Sequence, residues 1–142
     1  MKSIREISSS RIVAEDIENL TRSLLEYREY FSGKTFLITG AGGFLGKYMV
    51  LLLKHLNDHV LEEKLHAILL DNFIIGYEQI LEDEHLVFKK QSVIQPFITA
   101  QPIDYIIHAA GIASPAYYTK FPIETMDVGT IGTRNMLELA RD

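Results

Sequence analysis

Residues 34–50, KTFLITGAGGFLGKYMV, constrain this chain more than any other stretch. Gly40, Gly43 and Gly46 stand at G-x-x-G-x-x-G spacing, directly after one apolar run and directly before another. A chain that leaves a strand, turns sharply and enters a helix packed close on that strand needs residues without a Cβ at fixed offsets. The same turn presents unpartnered backbone N–H groups at a helix N-terminus, where the helix dipole is positive, and these suit a pyrophosphate. The spacing predicts a strand–turn–helix unit whose loop cradles phosphate. Gly40 ends the strand, Gly43 falls where backbone meets phosphate, and Gly46 lies one turn into the helix.

The rest of the chain supplies the context such a loop needs. TFLIT (35–39) reads as a buried strand and residues 44–56 as a helix with an apolar face. LHAILLD (65–71), HLVFKKQSV (85–93) and IDYIIHAA (103–110) read as further strands, and residues 76–84 as a loop or short helix. Residues 123–141 form a closing helix. Short, nearly continuous apolar strands alternating with helical segments predict a parallel sheet covered on both faces, an α/β doubly wound fold of the Rossmann type. Ahead of it, Ile12, Val13, Ile17, Leu20, Leu24, Leu25 and Phe31 recur at helical spacing. They predict an amphipathic helix from Arg11 to about Phe31, capped by one of Ser8, Ser9 or Ser10 and stopped at Gly33. The chain thus divides into a helical extension, residues 1–32, and a dinucleotide-binding domain, residues 33–142.

Asp71 closes the second strand, where a carboxylate can accept hydrogen bonds from the adenosine ribose hydroxyls. The residues after it, NFIIGY, contain no Arg or Lys to receive a 2′-phosphate, so NAD is expected over NADP. Other classes are disfavoured. A net charge of −5 without a Lys/Arg block is unlike a nucleic-acid surface. The absence of cysteine excludes disulfides and thiolate metal sites. His55, His59, His66 and His85 suggest no metal centre by their spacing. Apolar runs such as MVLLL fall far short of the roughly 20 residues of a membrane span, and the N-terminus has no signal-peptide apolar core. A cytoplasmic protein without nucleic-acid or membrane partners is the expectation.

At this point the motifs resemble a known family. TGAGGFLG is similar to the T-G-x-x-G-[FY]-[LIV]-G signature of extended short-chain dehydrogenases/reductases, the NAD-dependent epimerase/dehydratase family. LLDNF resembles the second-strand end of its nucleotide-sugar enzymes. IDYIIHAAGIASP resembles its fourth strand, and GTIGTRNMLELA the helix that follows. DNF and HAAGIASPAYYTKFP look most like UDP-glucuronate decarboxylases and sugar-nucleotide 4,6-dehydratases. The resemblance implies that Gly40, Gly43, Phe44, Leu45 and Gly46 hold pyrophosphate and that Asp71 and Asn72 meet the adenosine ribose. Ser92 and Val93 would stand beside adenine, with Ser where the family has Asp. Ala109, Ala110 and Gly111 would line the nicotinamide-ribose side, and Ser114, Pro115 and Tyr117 the sugar-nucleotide entrance. Gly129 stands where the family usually has Asn. His108 would be structural.

Enzymes of this kind use a Tyr and a Lys at Tyr-x-x-x-Lys, with the Tyr pKa lowered so that phenolate can take a hydroxyl proton. The one match, Tyr30 to Lys34, precedes the first strand and cannot reach the cofactor. The family motif would lie beyond Asp142, as would the rest of a sheet of about six or seven strands. The expectation is therefore the NAD-binding part of a longer nucleotide-sugar epimerase, dehydratase or decarboxylase that works through a 4-keto sugar. No catalytic residue is assigned here, the 142 residues alone should be inactive, and the full-length protein is expected to be a homodimer. Two other readings stay open: a non-catalytic dinucleotide-binding module, and a reductase of the same superfamily acting on a non-sugar carbonyl.

Overall fold

Four of the apolar runs form one parallel sheet in the order β3-β2-β1-β4: β1 Thr35–Thr39, β2 His66–Asp71, β3 Leu86–Lys90 and β4 Tyr105–His108. The computed structural model describes residues 10–75 and 80–141. β1 is buried along its whole length, as its unbroken apolar run requires of a central strand. Phe36, Ile38, Ala67 and Leu69 face Val50, Leu53 and Leu56 of helix α2 (Phe44–His59). Leu37, Ile68 and Leu70 face the other way, onto Phe97 and Met136. Helices on both faces make the sheet doubly wound, as expected from the alternation.

The chain moves from β1 to β2 to β3 in one direction, then returns to place β4 on the other side of β1. At such a reversal the connections diverge, and a crevice opens past the C-terminal ends of β1 and β4.

Several boundaries differ from those read in the sequence, each for a local reason. Helix α1 ends at Leu24, and Leu25–Tyr30 tighten into a 3₁₀ turn. That turn brings Phe31 to stack on Phe36 with ring centroids 5.6 Å apart. Val13, Ile17 and Thr21 of α1 are buried, and Val13 and Ile17 meet α2 at Leu51 and His55. Ser10 occupies the N-cap position without a side-chain cap bond, while Ser8 and Ser9 lie outside the described residues. Gly33 turns the chain into β1 at φ +65°.

Strand β2 starts one residue late because Asn57 binds both the N–H and the C=O of Leu65, each at 3.0 Å. Asp104 both pairs and caps: its N–H donates to Thr35 O at 2.9 Å, while its carboxylate accepts from the Thr35 N–H at 2.8 Å and from Lys34 at 3.0 Å. β3 stops at Lys90, and Ser92 enters a turn closed by Gln95 N–H. The expected closing helix is interrupted: α4 (Pro122–Asp127) widens into a π turn at Val128–Gly132 before α5 (Thr133–Arg141). A one-turn helix, α3 (Pro115–Tyr118), precedes it. The loop read at 76–84 falls partly outside the described residues, and residues 80–83 form no helix or strand.

Candidate dinucleotide site

The glycine loop is built against β2 and β4 as well as against its own helix. Gly40 leaves β1 at φ +70°, and a Cβ there would stand 2.6 Å from the carbonyl oxygen of Ala109. Gly43 N–H closes the turn onto Gly40 O at 2.9 Å, and Ala41 N–H reaches Leu70 O at 3.2 Å. Gly46 packs so closely that a Cβ would lie 2.1 Å from Gly40 O. In α2 the first α-helical bond of the turn is Lys47 N–H to Gly43 O, which leaves the N–H groups of Phe44, Leu45 and Gly46 ahead of the ladder at the helix N-terminus.

A cleft runs from this loop across the ends of all four strands. Gly40, Gly43 and Phe44 form one end. Asp71 and Asn72 line it from β2, Ser92 and Val93 from β3. Ala109, Ala110, Gly111 and Ser114 line it after β4. Leu45, Gly46, Pro115 and Tyr117 lie outside the lining; Leu45 and Tyr117 are exposed, and Gly46 is buried in the first turn of α2. Among the described residues, Asp71 is the one ionisable side chain in the lining. The cleft therefore offers backbone N–H groups and a helix dipole to an anion, one carboxylate, and apolar walls. It suits binding more than proton transfer.

The residues fit a dinucleotide at both ends. At the anion end Gly40 and Gly43 bring backbone to the cleft without a Cβ, beside the Phe44 ring, and after β4 a Cβ on Gly111 would meet nothing within 4 Å. At the other end Asp71 is held in place: Oδ2 accepts from the Gly42 N–H and Oδ1 from the Phe73 N–H, both at 2.8 Å. Each carboxylate oxygen keeps a further lone pair for a ribose hydroxyl. NAD, when bound there, would supply hydride transfer.

Four features escaped sequence reasoning. Gly42 is as constrained as the spaced glycines, since its Cβ would meet the Phe73 ring at 2.4 Å; the doubled glycine at 42–43 was the available signal. Phe73 itself adopts φ 52°, and nothing local marks a bulky residue for that conformation. Asn135 donates to Val93 O at 2.8 Å, bracing the β3 wall from α5. Gly132 makes room for the same wall, because a Cβ would stand 2.7 Å from the Val93 side chain.

His108 bonds Thr39 Oγ1 through Nδ1 at 2.7 Å, and that hydroxyl also accepts the Ala110 N–H at 3.2 Å. Burial pushes the pKa of His108 down. The contact ties the ends of β1 and β4 together beneath the cleft. Tyr30 and Lys34 take no part: Lys34 sits at the opposite end of β1, paired with Asp104 at 3.0 Å.

The sequence profile of the NAD dependent epimerase/dehydratase family matches residues 36–142. The chain belongs to that family. UDP-glucuronic acid decarboxylase 1 of Xenopus tropicalis is 32% identical over 150 residues, spanning 99% of this chain and 33% of that protein. The Danio rerio protein of the same name is 35% identical over 112 residues, 76% of this chain and 25% of that protein. UDP-glucuronic acid decarboxylase 5 of Arabidopsis thaliana is 35% identical over 115 residues, 78% of this chain and 31% of that protein. The chain thus spans a quarter to a third of the length of these relatives. A crystal structure of UDP-glucose 4-epimerase shares the fold, with a TM-score of 0.56 and 21% identity over 75% of this chain and 31% of that one.

Proposed function

We propose that these residues are the NAD-binding portion of a nucleotide-sugar enzyme that acts through a 4-keto sugar, with UDP-glucuronate decarboxylation the favoured outcome. One observation carries the reading: the glycine loop, Asp71 and the Ala109–Gly111 turn face one cleft at the reversal between β1 and β4. The similarity to UDP-glucuronic acid decarboxylases supports the substrate class. In this reading Gly43, Phe44, Leu45 and Gly46 hold the pyrophosphate through backbone N–H groups. Asp71 and Asn72 take the ribose, Ser92 and Val93 the adenine, and Ala109, Ala110 and Gly111 the nicotinamide ribose. Ser114, Pro115 and Tyr117 stand toward the sugar nucleotide.

Among the described residues the cleft lining holds no acid–base pair, and in this reading another part of the enzyme supplies the proton-transfer groups. A cytoplasmic location accords with the substrate class. Dimerisation of the full-length protein is supported by Ile123, Met126 and Leu137, which stay 60–66% exposed on α4 and α5. Calorimetry of the full-length protein with NAD tests the central claim. A 1:1 complex lost in Gly43→Val supports it, and absence of any NAD complex overturns it. Sedimentation at micromolar concentration tests the dimer, which a monomer would refute.

A further inference from the structure

Phe73 holds a backbone conformation that bulky residues rarely adopt, at φ 52°, two residues past Asp71. Among the described residues, the other positive φ angles fall on glycines, Gly33 and Gly40. An outlier of this kind persists only where its surroundings fix it, and here both backbone and ring are held. The Phe73 N–H donates to Asp71 Oδ1 at 2.8 Å, closing a tight turn onto the carboxylate. The ring fills the space beside Gly42, where even a Cβ would stand 2.4 Å from it. It also meets Phe88 of β3, with ring centroids 5.4 Å apart. Gly42, against which this ring is pressed, donates its own N–H to Asp71 Oδ2 at 2.8 Å. Both oxygens of the carboxylate are thus bonded by N–H groups whose places depend on one side chain. Phe73 lies outside the cleft lining, which Asp71 enters.

Resting on the dinucleotide reading above, we infer that Phe73 is a positioning residue. It fixes the Asp71 carboxylate and so sets the preference for a free 2′-hydroxyl over a 2′-phosphate. A carboxylate free to rotate can turn away from an added phosphate at little cost. One bonded through both oxygens must break two hydrogen bonds to turn, so the phosphate meets its charge at close range. The same fixed oxygens are already oriented to accept from ribose hydroxyls, which spares an ordering cost on binding. Phe73 acts through Asp71 and Gly42, without touching the dinucleotide. Its ring is seated against Gly42 and Phe88, and that seat keeps its N–H on Oδ1.

The test measures the NAD and NADP affinities of the full-length protein by calorimetry, alongside Phe73→Gly, Phe73→Asn and Phe73→Tyr. Glycine and asparagine both tolerate a positive φ, so these variants remove the ring without opposing the backbone conformation. The unaltered protein should prefer NAD by about a hundredfold or more. Each ring-deleting variant should bind NAD about threefold to tenfold more weakly and narrow that preference by about tenfold. Phe73→Tyr, which keeps the ring, should keep the unaltered ratio. An unchanged NAD-to-NADP ratio in the ring-deleting variants overturns the inference, even where both affinities fall, because a merely structural residue moves them equally. An unaltered protein that binds both dinucleotides alike also overturns it, while leaving the dinucleotide reading intact. Failure of the unaltered protein to bind either one overturns the site reading and this inference together. Should Phe73→Gly not fold, Phe73→Asn carries the same decision.

Discussion

Gly46 has less freedom than any other residue of the loop, because the space for its Cβ is already filled by Gly40 O at 2.1 Å. Gly46→Ala should therefore move the backbone of the loop, cost about 1–3 kcal/mol of stability by overpacking, and abolish NAD binding. Urea denaturation and calorimetry on one preparation would check both. Spacing showed three of the glycines, but Gly42 is held by Phe73, which only folding brings within 2.4 Å. His108 makes a pH prediction. Burial depresses its folded-state pKa below the ordinary 6.5, so the unfolded chain binds the extra proton first. Stability from this group is intact above about pH 6.5 and falls as pH drops through that value toward the lower folded-state pKa. His55, also depressed by burial, adds to the same window. Melting temperature should fall from pH 7.5 to pH 5.5, and less steeply in His108→Asn; an unchanged slope in that variant would assign the effect elsewhere.

At the scale of elements, periodicity located every strand and helix among the described residues except the one-turn α3, and missed how they end. The ends are set by partners distant in sequence. Asn57 binds both backbone groups of Leu65 ahead of β2, and ahead of β4 the Asp104 carboxylate takes the Thr35 N–H. The π turn at Val128–Gly132 is invisible to a 3.6-residue pattern, since its apolar and small residues fit either winding. It follows from fitting Gly132 against Val93 and aiming Asn135 at Val93 O. Helix α1 was legible as amphipathic, and its docking face is now specific. Ile17 is 6% exposed and packs beside α2. Ile17→Ala should cost about 2–4 kcal/mol in chemical denaturation and leave NAD affinity unchanged, because α1 touches no part of the cleft lining. Weakened NAD binding in that variant would mean that the extension shapes the site.

For the molecule as a whole, the cleft lining among the described residues lacks an acid–base pair, and the 142 residues by themselves should not turn over UDP-glucuronate in the presence of NAD. Product detected by mass spectrometry from the purified chain would contradict this. The sequence by itself determined the phosphate loop, the alternation that makes a parallel doubly wound sheet, and the family. These rest on local rules: glycine spacing answers a steric demand a few residues long, and apolar runs report burial directly. It also located Asp71 at a strand end, and it judged the 2′ end from Asp71's neighbours in sequence, among which there is no cation. Only the tertiary structure set Lys90 beside that carboxylate by strand register and Lys47 beneath it by helix packing. Charges act across space, whatever their distance along the chain. What surrounds Asp71 is therefore decided by the fold and not by the residues that follow it in sequence.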